Sequence, residues 1–100
     1  MWQPVTVTEL EAIVDEQLSA CSSEQRAAFA AHRVPFHAVP IHRLATTEHV
    51  LVVAKFAGRV LYFEDVEDGF AISELGVDGA IPEQDCNQYE LCHVLSQIEL

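Results

Sequence analysis

Five histidines and three cysteines are the nitrogen and sulfur side chains of this sequence that could bind a transition-metal ion. Structural zinc sites usually take their ligands in closely spaced pairs such as C-x-x-C or H-x-x-x-H, and the sequence contains neither spacing. His37 and His42 are five positions apart in an extended segment, and this odd separation sends their side chains to opposite faces of a strand. The sequence therefore predicts no metal site and no cofactor, although a site assembled from distant segments stays open.

The same residues offer little support for nucleophilic catalysis. Cys92 precedes His93, but neighbouring residues of a helix point about 100° apart and do not form a hydrogen-bonded dyad. The sequence has no G-x-S-x-G segment and no glycine-rich phosphate loop. We therefore predict that the protein is not an enzyme.

The segment "VLYFEDVEDGF", residues 60–70, places four carboxylates between apolar residues. Its spacing does not match a calcium loop, and a hairpin turn is a poor place for a catalytic carboxylate because it has no pocket to shift the pKa. Two interpretations stay open: a solvated turn whose charges prevent edge pairing, or an acidic docking surface flanked by aromatic residues. The predicted partner-binding residues are Glu64, Asp65, Glu67, Asp68 and Asp85, with Asp78 and Glu83 as extensions.

The charge of the chain favours the docking interpretation. Sixteen acidic residues against five basic ones give a formal net charge of −11, and residues 60–100 hold ten carboxylates without a single Lys or Arg. Such a surface repels phosphate, so we expect no direct binding to nucleic acid or to anionic membranes. A concentration of like charge also lowers folding stability, because the charges repel one another. Binding to a basic protein partner would explain why the chain keeps this charge.

The amino terminus and the cysteine count indicate in which cellular compartment the protein is found. The first residues have neither a basic region nor a continuous apolar stretch of the kind found in a signal peptide. An odd number of cysteines without paired spacing favours reduced thiols. These observations predict a soluble, cytoplasmic protein.

Helical patterns occupy both ends of the chain. Thr8 with Glu11 forms a T-x-x-E capping box that predicts a first helix over residues 9–20. Ser22 with Gln25 begins a second helix that ends near His32. A carboxy-terminal helix follows from an apolar stripe at helical spacing, formed by Leu91, Val94, Leu95 and Ile98.

Strand patterns occupy the middle of the chain. "VPFHAVPIHR" carries Pro35 and Pro40, which remove two backbone donors and predict an edge strand. "EHVLVVAKFAGRVLYFED" predicts two strands joined by a tight turn at Ala57-Gly58, with "GFAIS" as the next strand. On the first of these strands, a group of side chains at even spacing is expected to share one face: Val50, Val52, Ala54 and Phe56. The predicted fold is a single α+β domain over residues 1–100, with two N-terminal helices, an antiparallel meander of three or four strands and one C-terminal helix.

Two segments, "VLYFEDVEDGF" and "CNQYELCHVL", resemble stretches of small, acidic, uncharacterised bacterial proteins, over roughly the carboxy-terminal half. In size and charge the chain is also similar to bacterial immunity proteins, which neutralise a toxin by covering its often basic active surface. This resemblance implies an immunity- or antitoxin-like inhibitor of a basic partner such as a nuclease toxin. One alternative is a self-associating housekeeping protein, a homodimer that packs Phe36 and Ile41 of the segment Val34–His42 against a second copy. Another is a metal-dependent enzyme.

Overall fold

The computed structural model describes residues 5–64, 68–82 and 89–98. Its elements, in chain order, are α1 (Val7–Ser19), α2 (Ser23–His32), β1 (Arg33–His42), β2 (Thr47–Phe56), β3 (Arg59–Glu64), β4 (Gly69–Glu74) and α3 (Leu91–Ser96). The four strands form one antiparallel sheet in the order β1-β2-β3-β4. The predicted α+β fold, with its meander, its two N-terminal helices and its C-terminal helix, is confirmed. None of the helices in the described part of the chain combines the length and the apolar character needed to cross a bilayer.

The two N-terminal helices begin at capping boxes. At α2 the predicted box is confirmed: the Ser22 hydroxyl accepts a hydrogen bond from the Gln25 amide over 3.1 Å, and the Gln25 side chain accepts from the Ser22 amide. At α1 the predicted Thr8 box is wrong, because Thr6 caps the helix and exchanges the same two hydrogen bonds with Glu9. The T-x-x-E spacing occurs at both positions, and the earlier one adds two helical residues without moving the apolar face.

A β-bulge in β2 corrects the predicted face of that strand. Val52 pairs with Tyr62 and Ala54 pairs with Leu61, so that Val53 is an extra residue between two consecutive pairs. A bulge of this kind shifts the alternation of side chains by one residue. The prediction that Ala54 and Phe56 continue the face of Val50 and Val52 is therefore wrong, since both lie on the helical side of the sheet.

The sheet buries side chains on both faces. The helical side holds the larger cluster, in which Leu10 and Phe29 from the helices pack against Phe63 and Phe70 from the sheet. The opposite face holds a smaller cluster, formed by Val39, Ile41, Val50, Val52, Val60, Tyr62 and Ile81. Burial on both faces explains why β2 is almost continuously apolar.

The carboxy-terminal part of the chain covers each sheet edge at one point. β1 is an edge strand, as its two prolines predicted, and its outer side pairs in parallel with Ile81. The Ile81 amide donates to the Pro40 carbonyl over 2.8 Å, and the His42 amide donates to the Ile81 carbonyl over 2.9 Å. At the other edge, the Phe70 amide donates to the Tyr89 carbonyl over 2.8 Å. The segment after β4 is thereby fixed beside the end of β1.

Candidate functional site

The acidic turn, which we define as residues 64–68, starts with a carboxylate that points into the protein. Glu64, the last residue of β3, has no exposed surface, because it lies an even number of residues from Val60 and Tyr62 and shares their buried face. Glu64 Oε1 accepts a hydrogen bond from Arg43 Nη2 over 2.6 Å. The expectation that Glu64 belongs to a solvated acidic patch is therefore wrong. It is a buried partner of Arg43.

Arg43 connects two turns at one end of the sheet. Its Nε donates to Glu48 Oε2 over 2.8 Å, while its Nη2 holds Glu64. Burial by itself would lower the pKa of Arg43, but the hydrogen bonds and the charges of Glu64 and Glu48 outweigh it and raise the pKa above the ordinary value. The guanidinium is therefore always charged, and both of its carboxylate partners neutralise it.

The second carboxylate oxygen of this buried pair lacks a partner. Glu64 Oε2 is inaccessible to solvent and accepts no hydrogen bond from the described residues. A buried charge with an unsatisfied acceptor costs folding free energy, so Glu64 depends strongly on its contact with Arg43.

Of the other predicted residues in this turn, the structure describes Asp68, and it places this side chain in solvent. The backbone of Asp68 has a φ of 53°, a left-handed conformation that Asp and Asn adopt more readily than most residues. Asp65, Glu67, Glu83 and Asp85 lie outside the described residues. The acidic docking interpretation therefore rests at this turn on Asp68, and the expectation of flanking aromatic anchors is wrong, because Tyr62, Phe63 and Phe70 are buried.

Asp78, a predicted extension of the acidic surface, pairs with a histidine. Asp78 Oδ2 lies 2.9 Å from His42 Nε2, and Asp78 Oδ1 accepts a hydrogen bond from the Ala80 amide over 3.1 Å. The hydrogen bond with His42, followed by the one from Ala80, lowers the pKa of Asp78 below its ordinary value. The pair arises because the segment after β4 returns to the edge of β1, and no local spacing in the sequence predicts that return.

These contacts bring three connecting segments together at one end of the sheet. We call this region the turn end and define it as residues 42–46, Glu64, Asp68 and residues 76–81. The Arg43–Glu64 hydrogen bond joins residues 42–46 to the end of β3, and the His42–Asp78 pair joins the same residues to residues 76–81. Two carboxylates that the structure describes here are exposed: that of Asp68, and that of Asp78, which pairs with His42.

The helices are joined by a disulfide bond. Cys21 and Cys92 are bonded, with their Cα atoms 5.3 Å apart, and the expectation of reduced thiols is wrong for these two residues. Gln17 Oε1 accepts a hydrogen bond from the Leu91 amide over 2.6 Å at the same junction. The bonded cysteines are 71 residues apart in sequence, and only the packing of α3 against α1 and α2 brings them together. Cys86 lies outside the described residues.

The alternatives find limited support in the side chains. Across residues 5–64, 68–82 and 89–98, no three His, Cys, Asp or Glu side chains lie close enough to hold a metal ion. For self-association, Ile41 is only 1% exposed and is not available to a second copy, while Phe36 is half-buried. Phe36 lines a shallow cleft of about 250 Å³ together with Glu11 and Arg33.

Comparison of the chain with known protein families, with curated proteins and with solved structures finds no match. What the protein does must therefore be argued from its charges, its exposed side chains and the contacts that hold them.

Proposed function

We propose that this protein is a non-enzymatic binding protein that docks a basic protein through its acidic surface, in the manner of an immunity protein or antitoxin. The observation that carries the proposal is the inward orientation of Arg43 at the turn end. Its two hydrogen bonds to Glu48 and Glu64 use the only Lys or Arg among the residues that define the turn end. The surface that remains there carries the carboxylates of Asp68 and Asp78.

The charge of the rest of the molecule reinforces this polarity. On the helices, several carboxylates are exposed and form no ion pair with a described residue: Glu9, Glu11, Asp15, Glu16 and Glu24. A net charge of −11 on 100 residues generates a long-range field that attracts a basic protein and accelerates its association. The same field weakens with added salt, because the Debye length falls from roughly 30 Å at 0.01 M to about 8 Å at 0.15 M ionic strength.

A nuclease toxin is the kind of partner that fits this field. The active surface of a nuclease must attract phosphates, so it is basic, and an acidic protein that covers it competes directly with the nucleic acid. Inhibition of this kind needs no catalytic group in the inhibitor. It requires only a surface of opposite charge that stays in place.

The disulfide bears on where such a partner would be met. The cytoplasmic location remains a prediction, and the Cys21–Cys92 bond counts against it, because disulfides persist in oxidising compartments and are rare in the cytosol. A partner encountered outside the cytoplasm is compatible with every other part of the proposal.

The proposal is tested by capture and kinetics with two matched variants. The immobilised protein is exposed at low salt to lysate of its host and eluted with a salt step, and a captured basic protein is then purified for kinetic measurement. One variant neutralises the acidic turn (Asp65→Asn, Glu67→Gln, Asp68→Asn). Its control neutralises three charges on α1 (Glu11→Gln, Asp15→Asn, Glu16→Gln), so that the net charge of the two variants is the same.

If the acidic turn docks the partner, the turn variant should associate about tenfold more slowly at low salt, and the α1 variant should change the rate far less. Equal rates for the two variants would show that net charge, not the turn, directs association. Failure to capture any basic protein would contradict the proposal altogether.

A further inference from the structure

The turn end exposes two large apolar side chains. Leu44 is 90% exposed and Val77 is fully exposed, whereas the other exposed large apolar residues of the described chain, Val7 and Leu75, reach only 40% and 37%. An isolated exposed aliphatic residue is normal and needs no explanation. These two, however, flank one hydrogen-bonded pair along the chain: Leu44 follows His42 by two residues, and Val77 immediately precedes Asp78.

Both side chains stand on loops that are held by hydrogen bonds. In the first loop the Arg43 amide donates to the Thr46 carbonyl over 2.7 Å. In the second, the Gly76 amide donates to the Ala80 carbonyl over 2.8 Å, and the His42–Asp78 pair ties the two loops together. An apolar side chain on a braced loop loses little further backbone entropy on binding, which makes it a better anchor than one on a loose loop.

The electrostatic surroundings of these side chains select the kind of partner. Glu48 and Asp78 are both partly exposed beside the loops, and Arg43 is held inward between its carboxylates. A pocket that receives Leu44 and Val77 therefore gains from cations at its border and is repelled by acidic residues there. Anionic lipid is excluded on the same ground.

We infer that Leu44 and Val77 are the apolar anchors of the turn end, and that the surface they fit is an apolar pocket bordered by Lys or Arg on another protein. The inference rests on the proposed function, because it assigns the contact residues of the same docking surface. In this arrangement the carboxylates direct the encounter, and the buried aliphatic side chains keep the complex together.

The test uses peptides, so that it does not depend on capturing a cellular partner. A displayed library of random peptides is selected on the full-length protein alone, and the Leu44→Ser/Val77→Ser variant is kept for the binding measurements. The recovered sequences are then synthesised with a fluorescent label, and their Kd values are measured by anisotropy at low salt. Val77→Ser and Val7→Ser form a matched pair, since each replaces one exposed valine by serine.

Selected peptides should combine Leu, Phe or Trp with Lys or Arg, and they should bind the double variant at least tenfold more weakly. Val77→Ser should weaken binding and Val7→Ser should leave it unchanged. Because Leu44 and Val77 are exposed, the thermal unfolding midpoints of the variants should match that of the parent, which excludes loss of fold as the cause.

Three results would overturn the inference: recovery of no peptide, recovery of purely basic peptides that bind the double variant equally well, or a concentration-dependent dimer that the double variant abolishes. The last would assign the surface to a second copy of the chain. The neutralised-turn variant separates this inference from the proposed function. Loss of peptide affinity in the neutralised-turn variant alone would support docking through the acidic turn and contradict the role of Leu44 and Val77. Loss of affinity in the serine variant alone would support the role of Leu44 and Val77 and contradict docking through the acidic turn.

Discussion

Arg43 Nη2 donates a hydrogen bond to the buried carboxylate of Glu64 over 2.6 Å and so joins the β1–β2 turn to the end of β3. The contact has two consequences at once. It compensates a carboxylate that has no exposed surface, and it pairs the only Lys or Arg among the residues that define the turn end. Because this ion pair holds Arg43 between carboxylates, it leaves the surface of the turn end more negative, and the proposed function depends on that surface.

Replacing Arg43 by Met should destabilise the protein by about 3–5 kcal/mol, because it leaves Glu64 as a buried charge without a partner. Urea denaturation of the variant measures the loss. Lys55→Met serves as the control, since Lys55 is an exposed cation without an ion pair in the described residues, and its replacement should change stability by less than about 0.5 kcal/mol. The double variant Arg43→Met/Glu64→Met should regain most of the stability, and a double variant as unstable as the single one would contradict the buried-charge explanation.

The His42–Asp78 pair should stabilise the fold in a pH-dependent manner. Because the folded protein holds the pKa of Asp78 below its ordinary value, the unfolded chain binds more protons as the pH falls. The stabilisation is therefore fully present above the ordinary pKa of Asp and is lost as the pH falls through the lowered, folded value. Asp78→Asn keeps the acceptor for the Ala80 amide, but it removes the charge and replaces the oxygen that faces His42 by an amide NH2.

Urea midpoints of the parent and Asp78→Asn should accordingly differ at pH 6 and converge as the pH falls through the lowered pKa of Asp78. Glu74→Gln, which removes an exposed carboxylate without an ion pair among the described residues, should show no such convergence. A midpoint difference for Asp78→Asn that stays constant with pH would show that the carboxylate charge does not stabilise the loop.

The Cys21–Cys92 disulfide should contribute about 2–5 kcal/mol to stability, since it closes a long loop in the unfolded chain. Denaturation with and without a reducing agent measures this contribution. Thiol titration of the unfolded, non-reduced protein should find one free thiol, and Cys86→Ser should abolish it. Three free thiols in a protein purified without reductant would show that the bond does not form.

The tight turn between β2 and β3 should accept a stabilising substitution. Ala57 and Gly58 have φ values of 48° and 85°, which correspond to a type I′ turn, where Asn-Gly is preferred. Ala57→Asn should raise stability by about 1 kcal/mol, because a left-handed backbone costs Ala more than Asn. Ala45→Asn, in the turn between β1 and β2 and without a positive φ, is the control and should bring no comparable gain.

Local patterns predicted the elements of this fold well. Pro35 and Pro40 indicated an edge strand, Ala57-Gly58 indicated a tight hairpin turn, and the Ser22–Gln25 box indicated the start of α2; all three are confirmed. Each of these signals acts over a few residues, through a missing donor, a backbone conformation or a cap. For that reason these signals can be recognised in the sequence without knowledge of the tertiary structure.

At two places in the sheet, side chains lie on a different side from the one predicted. At Val53 a bulge shifts the side-chain faces of β2, and nothing in the residue types of that strand marks the insertion. At Glu64 the charged residue type suggested solvent, whereas strand geometry turns the side chain inward and Arg43, 21 residues earlier, makes this tolerable. Burial of a charge depends on a partner, and the partner's position is a property of the fold.

The sequence by itself determined the α+β class, the order of the elements and the excess of negative charge, because composition and short-range pattern specify these. Only the tertiary structure decided which charges remain at the surface. It paired Arg43 with Glu64, His42 with Asp78 and Cys21 with Cys92, residues that are separated by 21, 36 and 71 positions. Contacts over such separations form only when strands and helices pack, and they are what gives the turn end its exposed carboxylates and its two exposed apolar side chains.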